Sequence, residues 1–293
     1  MQSNTRAELS LVLITLVWGT SFLVVKDALS LTNAYWLLLL RFTVATALVL
    51  FIFRRSLSGI NASTLWKGAV LGFVLYLGFV FQTTGLEYTT PAKSAFITGI
   101  NVILVPLFGI FFFRSRLSFE VVLGVSTAFV GLFFLTRPDN LDKINRGDVL
   151  TLVCAVVFAV QILLVERYSR QAPSSLLTVL QLAGTAAWSL PLALLHAGPI
   201  VRGSGWSLSL SVGYLALFCT AIAFSVQIHA QRRVSAARAA LIFSLEPVFA
   251  ALASTLFYGE DLTWLEWMGG FLVVSGVIVG EFSVLRSKTG TAG

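Results

Sequence analysis

Long apolar stretches separated by short polar breaks run along nearly the whole chain. A bilayer core requires about 20 apolar residues in helical form, and ten windows approach or exceed that length. The breaks between them carry paired charges or turn residues, as in Arg54-Arg55 and Gly259-Glu260-Asp261. The pattern therefore predicts an all-α integral membrane protein with ten transmembrane helices, here called spans 1 to 10, at residues 8–27, 33–53, 65–84, 91–113, 119–136, 148–166, 174–195, 208–230, 236–258 and 263–284.

Composition excludes a water-soluble protein. Of the 293 residues, 57% are hydrophobic and only 11% are charged, with a mean hydropathy of +0.90, whereas about a quarter of a soluble domain is charged. A net charge of +7 would suggest nucleic acid as the partner of a soluble protein. Here we interpret it as arginines that anchor cytoplasmic loops, so the expected partner is the lipid bilayer and not nucleic acid.

The distribution of Lys and Arg among the loops predicts the orientation. Thirteen of them lie on the side of the two termini and six on the other side, with Arg41 inside a span. The positive-inside rule places both termini in the cytoplasm. The first apolar run has no small-residue cleavage site, so we expect it to be a retained span and not a signal peptide.

The two halves of the chain resemble each other. A shift of 145 residues lays AKSAFITGIN (92–101) on ARAALIFSLE (237–246) and pairs Gln82 with Gln227. A shift of 140 residues fits the earlier part of each half, where Arg41 falls on Gln181. The predicted domains are a first five-helix repeat (1–136), an extracytoplasmic linker (137–147), a second repeat (148–285) and a cytoplasmic tail (286–293).

Each repeat has an odd number of spans, so the second copy must enter the membrane from the opposite side. Inverted-topology repeats of this kind are typical of secondary transporters, because they supply two exchangeable conformations around a central site. The sequence thus predicts a small-molecule substrate. It contains no GxxxxGK[ST], HExxH or GxSxG motif, so we expect no ATP-driven step, no enzyme activity, no cofactor and no metal. Cys154 and Cys219 lie inside apolar runs and are interpreted as small core residues.

Four short motifs occur in a characteristic order: LVWGTSF in span 1, LLRF in span 2, LEP in span 9, and GED-L…GG…SG leading into span 10. With the duplicated five-span unit, they resemble the EamA-type drug/metabolite transporter superfamily over nearly the whole chain. The stretch TTPAKSAFITGINVILVPL is most similar to the YddG-type amino-acid exporters. The resemblance implies a bacterial inner-membrane exporter of amino acids or related metabolites, with a central cavity lined by spans 1–4 and 6–9. Spans 5 and 10 are then peripheral.

Span 9 carries Glu246-Pro247 where span 4 carries Asn101-Val102. Pro247 lacks an N–H and leaves the carbonyl of Phe243 without its helical donor, which predicts a kink in span 9. Pro106 is expected to kink span 4 in the same way. Gly99 and Ser244 belong to stripes of small residues on these two spans, which predict a tight interface or faces that move during transport. The expected gating or hinge residues are Pro106, Pro247, Gly99 and Ser244.

Glu246 is predicted to lie near the membrane midplane, where a charge costs about 2.5–3.5 kcal/mol on insertion scales. It either locks the kink as a neutral, hydrogen-bonded group, or lines a cavity and contacts the substrate or a coupling proton. Its candidate partners are Arg41 and polar groups across the cavity. Arg41 is otherwise expected to be a structural polar group, to snorkel toward the outer face or to attract a substrate carboxylate. The other expected substrate-binding residues are Trp18, Tyr76, Gln82, Asn101, Gln161 and Gln227, with Trp188, Tyr214 and His229 as weaker candidates.

The principal hypothesis is a secondary transporter that exports amino acids, with aromatic members among them. One alternative is a broad proton-coupled drug or metabolite exporter that uses Glu246. The alternative from another class is a scaffold or lipid-handling protein. Glycine pairs in span 5 (Gly124, Gly131) and span 10 (Gly269, Gly276) fit either a weak homodimer or packing within a monomer.

Overall fold

The computed structural model describes residues 2–115, 117–136, 144–196, 198–259 and 261–289. Most of the predicted linker (137–143) and the last four residues of the predicted tail lie outside this part of the chain. Helices account for nearly all of the described residues, and no strand occurs among them. Thirteen α-helices follow one another: α1 Gln2–Leu31, α2 Ala34–Phe53, α3 Ala62–Tyr88, α4 Pro91–Gly99, α5 Asn101–Phe113, α6 Phe119–Thr136, α7 Arg146–Ser169, α8 Ser174–Leu195, α9 Gly205–Ala216, α10 Ala223–Ala230, α11 Ala236–Phe243, α12 Glu246–Tyr258 and α13 Trp264–Thr289.

The predicted all-α membrane fold is confirmed. Within the described ranges, nine helical segments are long and apolar enough to cross a membrane, and Trp264–Gly280 is a shorter tenth. Seven spans are single helices, namely α1, α2, α3, α6, α7, α8 and α13. Span 4 consists of α4 and α5, and span 9 of α11 and α12. Span 8 consists of α9, a π-helical turn at Leu217–Ile222, and α10.

Side-chain caps begin several helices at positions that hydropathy alone does not indicate. Asn33 and Asn61 accept hydrogen bonds from the backbone N–H three residues later, both at 2.9 Å. Asn145 and Asp148 form a reciprocal capping box at the start of α7. These caps satisfy N–H groups that have no partner inside the helix, and α3 and α7 extend beyond their apolar windows at both ends.

Spans 4 and 9 are interrupted at the same position of the repeat. α4 ends at Gly99 and α5 begins at Asn101, while α11 ends at Phe243 and α12 begins at Glu246. Span 9 therefore breaks just before Pro247, close to the predicted kink. In span 4 the helix continues through Pro106 and breaks at Ile100 instead, although Val102 occupies the place of the proline. The interruption thus belongs to the repeat and does not depend on proline alone.

The α6 and α13 helices pack against each other through the four glycines. A Cβ added at Gly124 would lie 2.5 Å from the carbonyl oxygen of Gly276, and one added at Gly131 would lie 2.7 Å from that of Gly269. The two helices pair antiparallel. The repeat relates Gly124 to Gly269 and Gly131 to Gly276, so exchanging the two repeats turns each of these glycine contacts into the other. The glycines are therefore used inside the bundle, which removes the sequence-based reason for expecting a dimer.

The remaining helix contacts follow the same exchange symmetry. Span 1 packs on spans 8 and 9, and its repeat mate, span 6, packs on spans 3 and 4. Spans 2 and 7, which are mates of each other, are in direct contact. This arrangement leaves the middle of the bundle surrounded by the interrupted spans and their neighbours.

Candidate functional site

A cavity lies in the middle of the bundle. It is bounded by spans 1, 2, 3, 4, 6, 8 and 9, so the set implied by the family resemblance is present except for span 7, and spans 5 and 10 do not contribute. A water molecule's centre can occupy about 60 Å³ of it, which is room for a few water molecules. Its walls are formed by Trp18, Ser21, Arg41, Leu75, Phe79, Gln82, Thr98, Asn101, Phe158, Gln161, Ile162, Phe224, Gln227, Phe243 and Glu246.

Most of this lining consists of residues related by the internal repeat. The shifts of 140 and 145 residues pair members of the lining with each other, one from each half of the chain. Two pairs are aromatic with aromatic, one is glutamine with glutamine, and three combine different residue types, so the cavity is pseudo-symmetric in the positions of its lining residues. The six pairs are Trp18 with Phe158, Ser21 with Gln161, Phe79 with Phe224, Gln82 with Gln227, Thr98 with Phe243, and Asn101 with Glu246.

Trp18 forms one wall of the cavity. Its ring packs against Phe224 and Phe243, with centroid separations of 5.5 and 5.2 Å. Its Nε1 donates a hydrogen bond of 2.9 Å to the carbonyl oxygen of Cys219. A buried indole N–H requires such an acceptor, and here the acceptor is a backbone group of span 8.

Arg41 is 2% exposed and is held by the same segment. Its Nε donates to Thr220 Oγ1 at 2.6 Å, and its Nη2 donates to the Cys219 carbonyl at 3.3 Å. Its guanidinium also lies 4.6 Å from the centroid of the Phe79 ring, which is cation–π geometry. Arg41 therefore holds span 8 and contributes a positive charge to the cavity wall.

The π-helical turn explains why the backbone carbonyl of Cys219, in span 8, is available to accept hydrogen bonds from both Trp18 and Arg41. A π-helical turn displaces the usual i→i−4 hydrogen bonds, and the Thr220 hydroxyl donates to the Leu215 carbonyl five residues earlier, at 2.8 Å. The side chains of Trp18 and Arg41 then meet the carbonyl of Cys219. This turn has no signal in the hydropathy pattern.

Two glutamines from different repeats meet at the cavity. Gln227 Nε2 donates to Gln161 Oε1 at 3.3 Å, and the two residues are 1% and 2% exposed. The Gln161 Nε2 and the Gln227 Oε1 have no hydrogen-bond partner among the described residues. An unpaired buried donor and acceptor are costly, so this pair presents one unused donor and one unused acceptor beside the cavity.

Glu246 lines the cavity at the start of α12. Within the described part of the chain, no hydrogen bond or ion pair links its carboxylate to Arg41, and Arg41 binds Thr220 instead. The expected Arg41–Glu246 pair is therefore not formed. Asn101, its mate, lines the same cavity from the start of α5, so each helix interruption places one polar side chain at the cavity wall.

The structure brings six of the seven expected substrate-binding residues to the cavity, and the seventh, Tyr76, lies elsewhere. Tyr76 packs near Trp188 and Phe73 on the side of α3 that faces α8. Gly99 and Ser244 lie at the helix interruptions, Pro247 lies one residue inside α12, and Pro106 lies within α5. Tyr214 is hydrogen-bonded to Thr20 at 2.5 Å, and His229 is exposed.

The selection from sequence missed eight lining residues: Ser21, Thr98, four phenylalanines (Phe79, Phe158, Phe224 and Phe243) and the aliphatic residues Leu75 and Ile162. A signal for several of them was present: Ser21 is the repeat mate of Gln161, and Phe79 and Phe224 are mates of each other. Applying the repeat register to each chosen residue would have found Ser21 and Phe158, the mates of Gln161 and Trp18, but not Phe79 and Phe224, since neither of these was chosen.

A bundle of apolar spans with two interrupted helices around a polar central cavity defines the class of multi-pass membrane transporters. The sequence model of the family described as "EamA-like transporter family" matches residues 5–137 and 145–280 of this chain. The chain belongs to the EamA-like transporter family, and it is a membrane transporter and not an enzyme.

Known relatives agree with this assignment. An "Uncharacterized transporter" of Archaeoglobus fulgidus is 33% identical over 278 residues, covering 95% of this chain and 86% of the relative. The "Uncharacterized inner membrane transporter YedA" of Escherichia coli K12 is 27% identical, covering 90% and 87%. A solved crystal structure at 21% identity superposes with a TM-score of 0.78 over 94% of this chain and 98% of that chain, which supports the fold.

Proposed function

We propose that this transporter exports amino acids, aromatic ones among them, and related metabolites across the bacterial inner membrane. One observation carries the proposal: the Arg41 guanidinium and the Glu246 carboxyl group line the same cavity and are not paired with each other. A zwitterionic amino acid carries the complementary two charges. Its carboxylate would approach the guanidinium and its ammonium group would approach the carboxylate.

The rest of the lining supports the same class of substrate. Trp18, Phe79, Phe158, Phe224 and Phe243 surround the polar groups with aromatic surface, which suits an aromatic or large apolar side chain. The Gln161 Nε2 and the Gln227 Oε1 add an unused donor and acceptor. A pocket of apolar walls with a few polar groups is the usual form of a small-molecule site.

The mechanism we propose is alternating access between two inverted halves, which would be a first repeat of residues 1–136 and a second of residues 148–285. The water-accessible cavity of about 60 Å³ is smaller than an amino acid requires, so the cavity must widen toward one side for a substrate to enter. Residues Gly99 and Ser244, at the interruptions of spans 4 and 9, are the proposed hinges. Both termini would lie in the cytoplasm, in agreement with the distribution of Lys and Arg, and the chain would act as a monomer or a weak homodimer.

Uptake of radiolabelled amino acids into proteoliposomes tests the proposal. We expect saturable, protein-dependent uptake of at least one aromatic or large apolar amino acid, with competition by unlabelled amino acids of the same class. Saturable flux of other solutes, without any amino acid flux by correctly folded protein, would contradict it.

Glu246 supports a second candidate function, proton-coupled export of a broader range of metabolites. Its carboxylate is inside the bundle and has no ion-pair partner among the described residues. An imposed pH gradient would then drive uptake by the parent protein but not by Glu246→Gln. Equal rates with and without the gradient would exclude coupling through this residue. The scaffold or lipid-handling alternative is disfavoured by membership of a transporter family.

A further inference from the structure

Two ion pairs lie at opposite ends of the bundle. At one end, Lys93 Nζ lies 2.7 Å from Asp148 Oδ2, which joins the start of α4 to the start of α7. At the other end, Arg238 forms an ion pair with Glu8, which joins the start of α11 to the beginning of α1. Consecutive spans cross in alternate directions, so the starts of spans 4 and 6 share one side and those of spans 9 and 1 share the other.

The internal repeat relates these two ion pairs to each other. The shift of 145 residues places Lys93 on Arg238, and the shift of 140 residues places Glu8 on Asp148. Each half of the chain therefore contributes one cation to the pair at one end and one anion to the pair at the other. The corresponding residues have the same charge and lie on repeat-related helices. The pseudo-symmetry of the cavity therefore extends to both ends of the bundle.

Both pairs are shielded from water. The side chains of Lys93 and Asp148 are 9% and 5% exposed, and those of Arg238 and Glu8 are 12% and 18% exposed. Removing one member of a buried pair leaves an uncompensated charge, which costs far more than a broken surface pair. These contacts therefore bias the position of the helices that they join.

The surroundings of the two pairs are matched as well. Beside Asp148, a Cβ added at Gly147 would lie 2.5 Å from the carbonyl oxygen of Gly85, so α3 and α7 are in close contact there. The repeat mates of these glycines are Ala7 and Ala230, which are buried in one hydrophobic cluster at the other end. Small residues thus accompany each ion pair and permit close approach of the helices.

We propose that Lys93–Asp148 and Glu8–Arg238 are the two gates of the transport path, and that one opens while the other stays closed. This inference rests on the proposed alternating-access function. Contacts exchanged by the symmetry of an inverted repeat, at opposite ends of one cavity, are those that alternating access makes and breaks in turn. Both are closed in this structure, which accords with the small volume of the cavity.

The pairs differ in how firmly their carboxylates are held. Asp148 also accepts a hydrogen bond from Thr89 Oγ1 at 2.9 Å and from the backbone N–H of Asn145 at 2.9 Å. These bonds hold the carboxylate independently of Lys93. We therefore use Lys93 and Glu8, and not Asp148, as the sites of substitution, since removing Asp148 would also remove the cap of α7.

Labelling of a cavity cysteine from each face of the membrane tests the gates without any substrate. The reporter is Ser21→Cys in a full-length background with Cys154→Ala and Cys219→Ala, in sealed vesicles of both orientations, treated with a membrane-impermeant maleimide. We expect Lys93→Gln and Glu8→Gln to raise the labelling rate about tenfold, a typical size for a conformational coupling, from opposite faces. Lys93→Arg should restore the parent rate.

A matched control comes from an ion pair within one helix. Arg170 and Glu166 lie 2.7 Å apart on α7, so Arg170→Gln removes this pair, leaves the hydrogen bond of Glu166 to the Ala236 N–H and should leave both labelling rates unchanged. If Lys93→Gln does not insert, Lys93→Gln with Asp148→Asn leaves no unpaired charge and gives the same readout; asparagine, unlike alanine, keeps a side-chain oxygen that can accept the capping hydrogen bond of Asn145. The proposal would be overturned if both gate variants raised the labelling rate from the same face, or if neither variant raised it.

The labelling and flux measurements separate the two hypotheses. A face-specific rise in labelling without amino acid flux would contradict only the proposed substrate. Amino acid flux without that rise would contradict only the gates.

Discussion

Arg41 and Thr220 join span 2 to the π-helical turn of span 8, with Arg41 Nε donating to Thr220 Oγ1 at 2.6 Å. The Thr220 hydroxyl in turn donates to the carbonyl of Leu215. A charged side chain thus stabilises the irregular backbone beside the cavity, and the irregular backbone in turn provides its hydrogen-bond partners. This arrangement allows a buried arginine at the cavity wall.

Replacing Arg41 tests this arrangement. Arg41→Gln should destabilise the protein by about 1.5–3 kcal/mol, the range for hydrogen bonds of charged groups, and should reduce transport. Arg41→Lys keeps the charge but not the planar fork, so we expect an intermediate stability. Thermal unfolding in detergent measures the loss, with the exposed Arg55→Gln as the control. A melting temperature unchanged in Arg41→Gln would contradict the structural role.

Glu246→Gln should reduce the amino acid flux at least about tenfold while the protein folds normally. The substitution removes a charge at membrane depth, so it lowers the cost of burial and should not destabilise the bundle. It also removes the group that would bind the ammonium of the substrate. Flux and melting temperature measured side by side separate the two effects. Asp27→Asn, an exposed carboxylate, is the control, and flux equal to the parent's in Glu246→Gln would exclude its role in binding.

The Gln161–Gln227 pair should be dispensable for folding but not for transport. Replacing both partners of a buried hydrogen bond by apolar groups of similar shape can be nearly neutral for stability. The double variant Gln161→Leu/Gln227→Leu should therefore keep the melting temperature and lose flux. A single Gln227→Leu leaves Gln161 without any partner and should be less stable than the double variant. A fully active double variant would place the substrate elsewhere.

The glycine contact between α6 and α13 should be intolerant of any side chain. A Cβ at Gly269 would lie 2.2 Å from the backbone nitrogen of Leu135, so Gly269→Ala forces the helices apart and should cost about 1–3 kcal/mol. Gly213 provides a matched control, since a Cβ there meets nothing within 4 Å and alanine favours the helix. Equal melting temperatures for the two variants would mean that the helices do not pack as described.

The sequence predicted the spans and the repeat because membrane helices and duplicated registers leave strong patterns. Hydropathy indicated ten spans, and the polar residues Gln82, Gln161 and Gln227 could be chosen because amides are conspicuous in apolar runs. The same reasoning does not reveal a helix interruption such as that at Ile100, since neither neighbouring residue is a proline. It also favours amides, charged groups and large polar aromatic side chains over the serine, threonine, phenylalanine and aliphatic residues that line the same cavity.

The differences between expectation and structure have physical causes. A tyrosine is polar enough to suggest a cavity, but the direction of Tyr76 depends on the rotation of α3, which places it near Trp188 and outside the described lining. The α5 helix continues through Pro106, and the break in span 4 lies six residues earlier, at Ile100, where the sequence has no proline. The pairing of Arg41 with Glu246 was judged from depth alone, whereas the π-helical turn offers Arg41 closer partners. The sequence carries no readable signal for that turn.

Counterflow in proteoliposomes tests the central claim most directly. Vesicles containing the parent protein are loaded with unlabelled phenylalanine and diluted into a trace of labelled phenylalanine, without an ion gradient. The account predicts transient accumulation of label in the parent, and at least about tenfold less in Glu246→Gln, a loss of 1.4 kcal/mol or more. Undiminished accumulation in Glu246→Gln, or none in a folded parent protein for any amino acid, would contradict it.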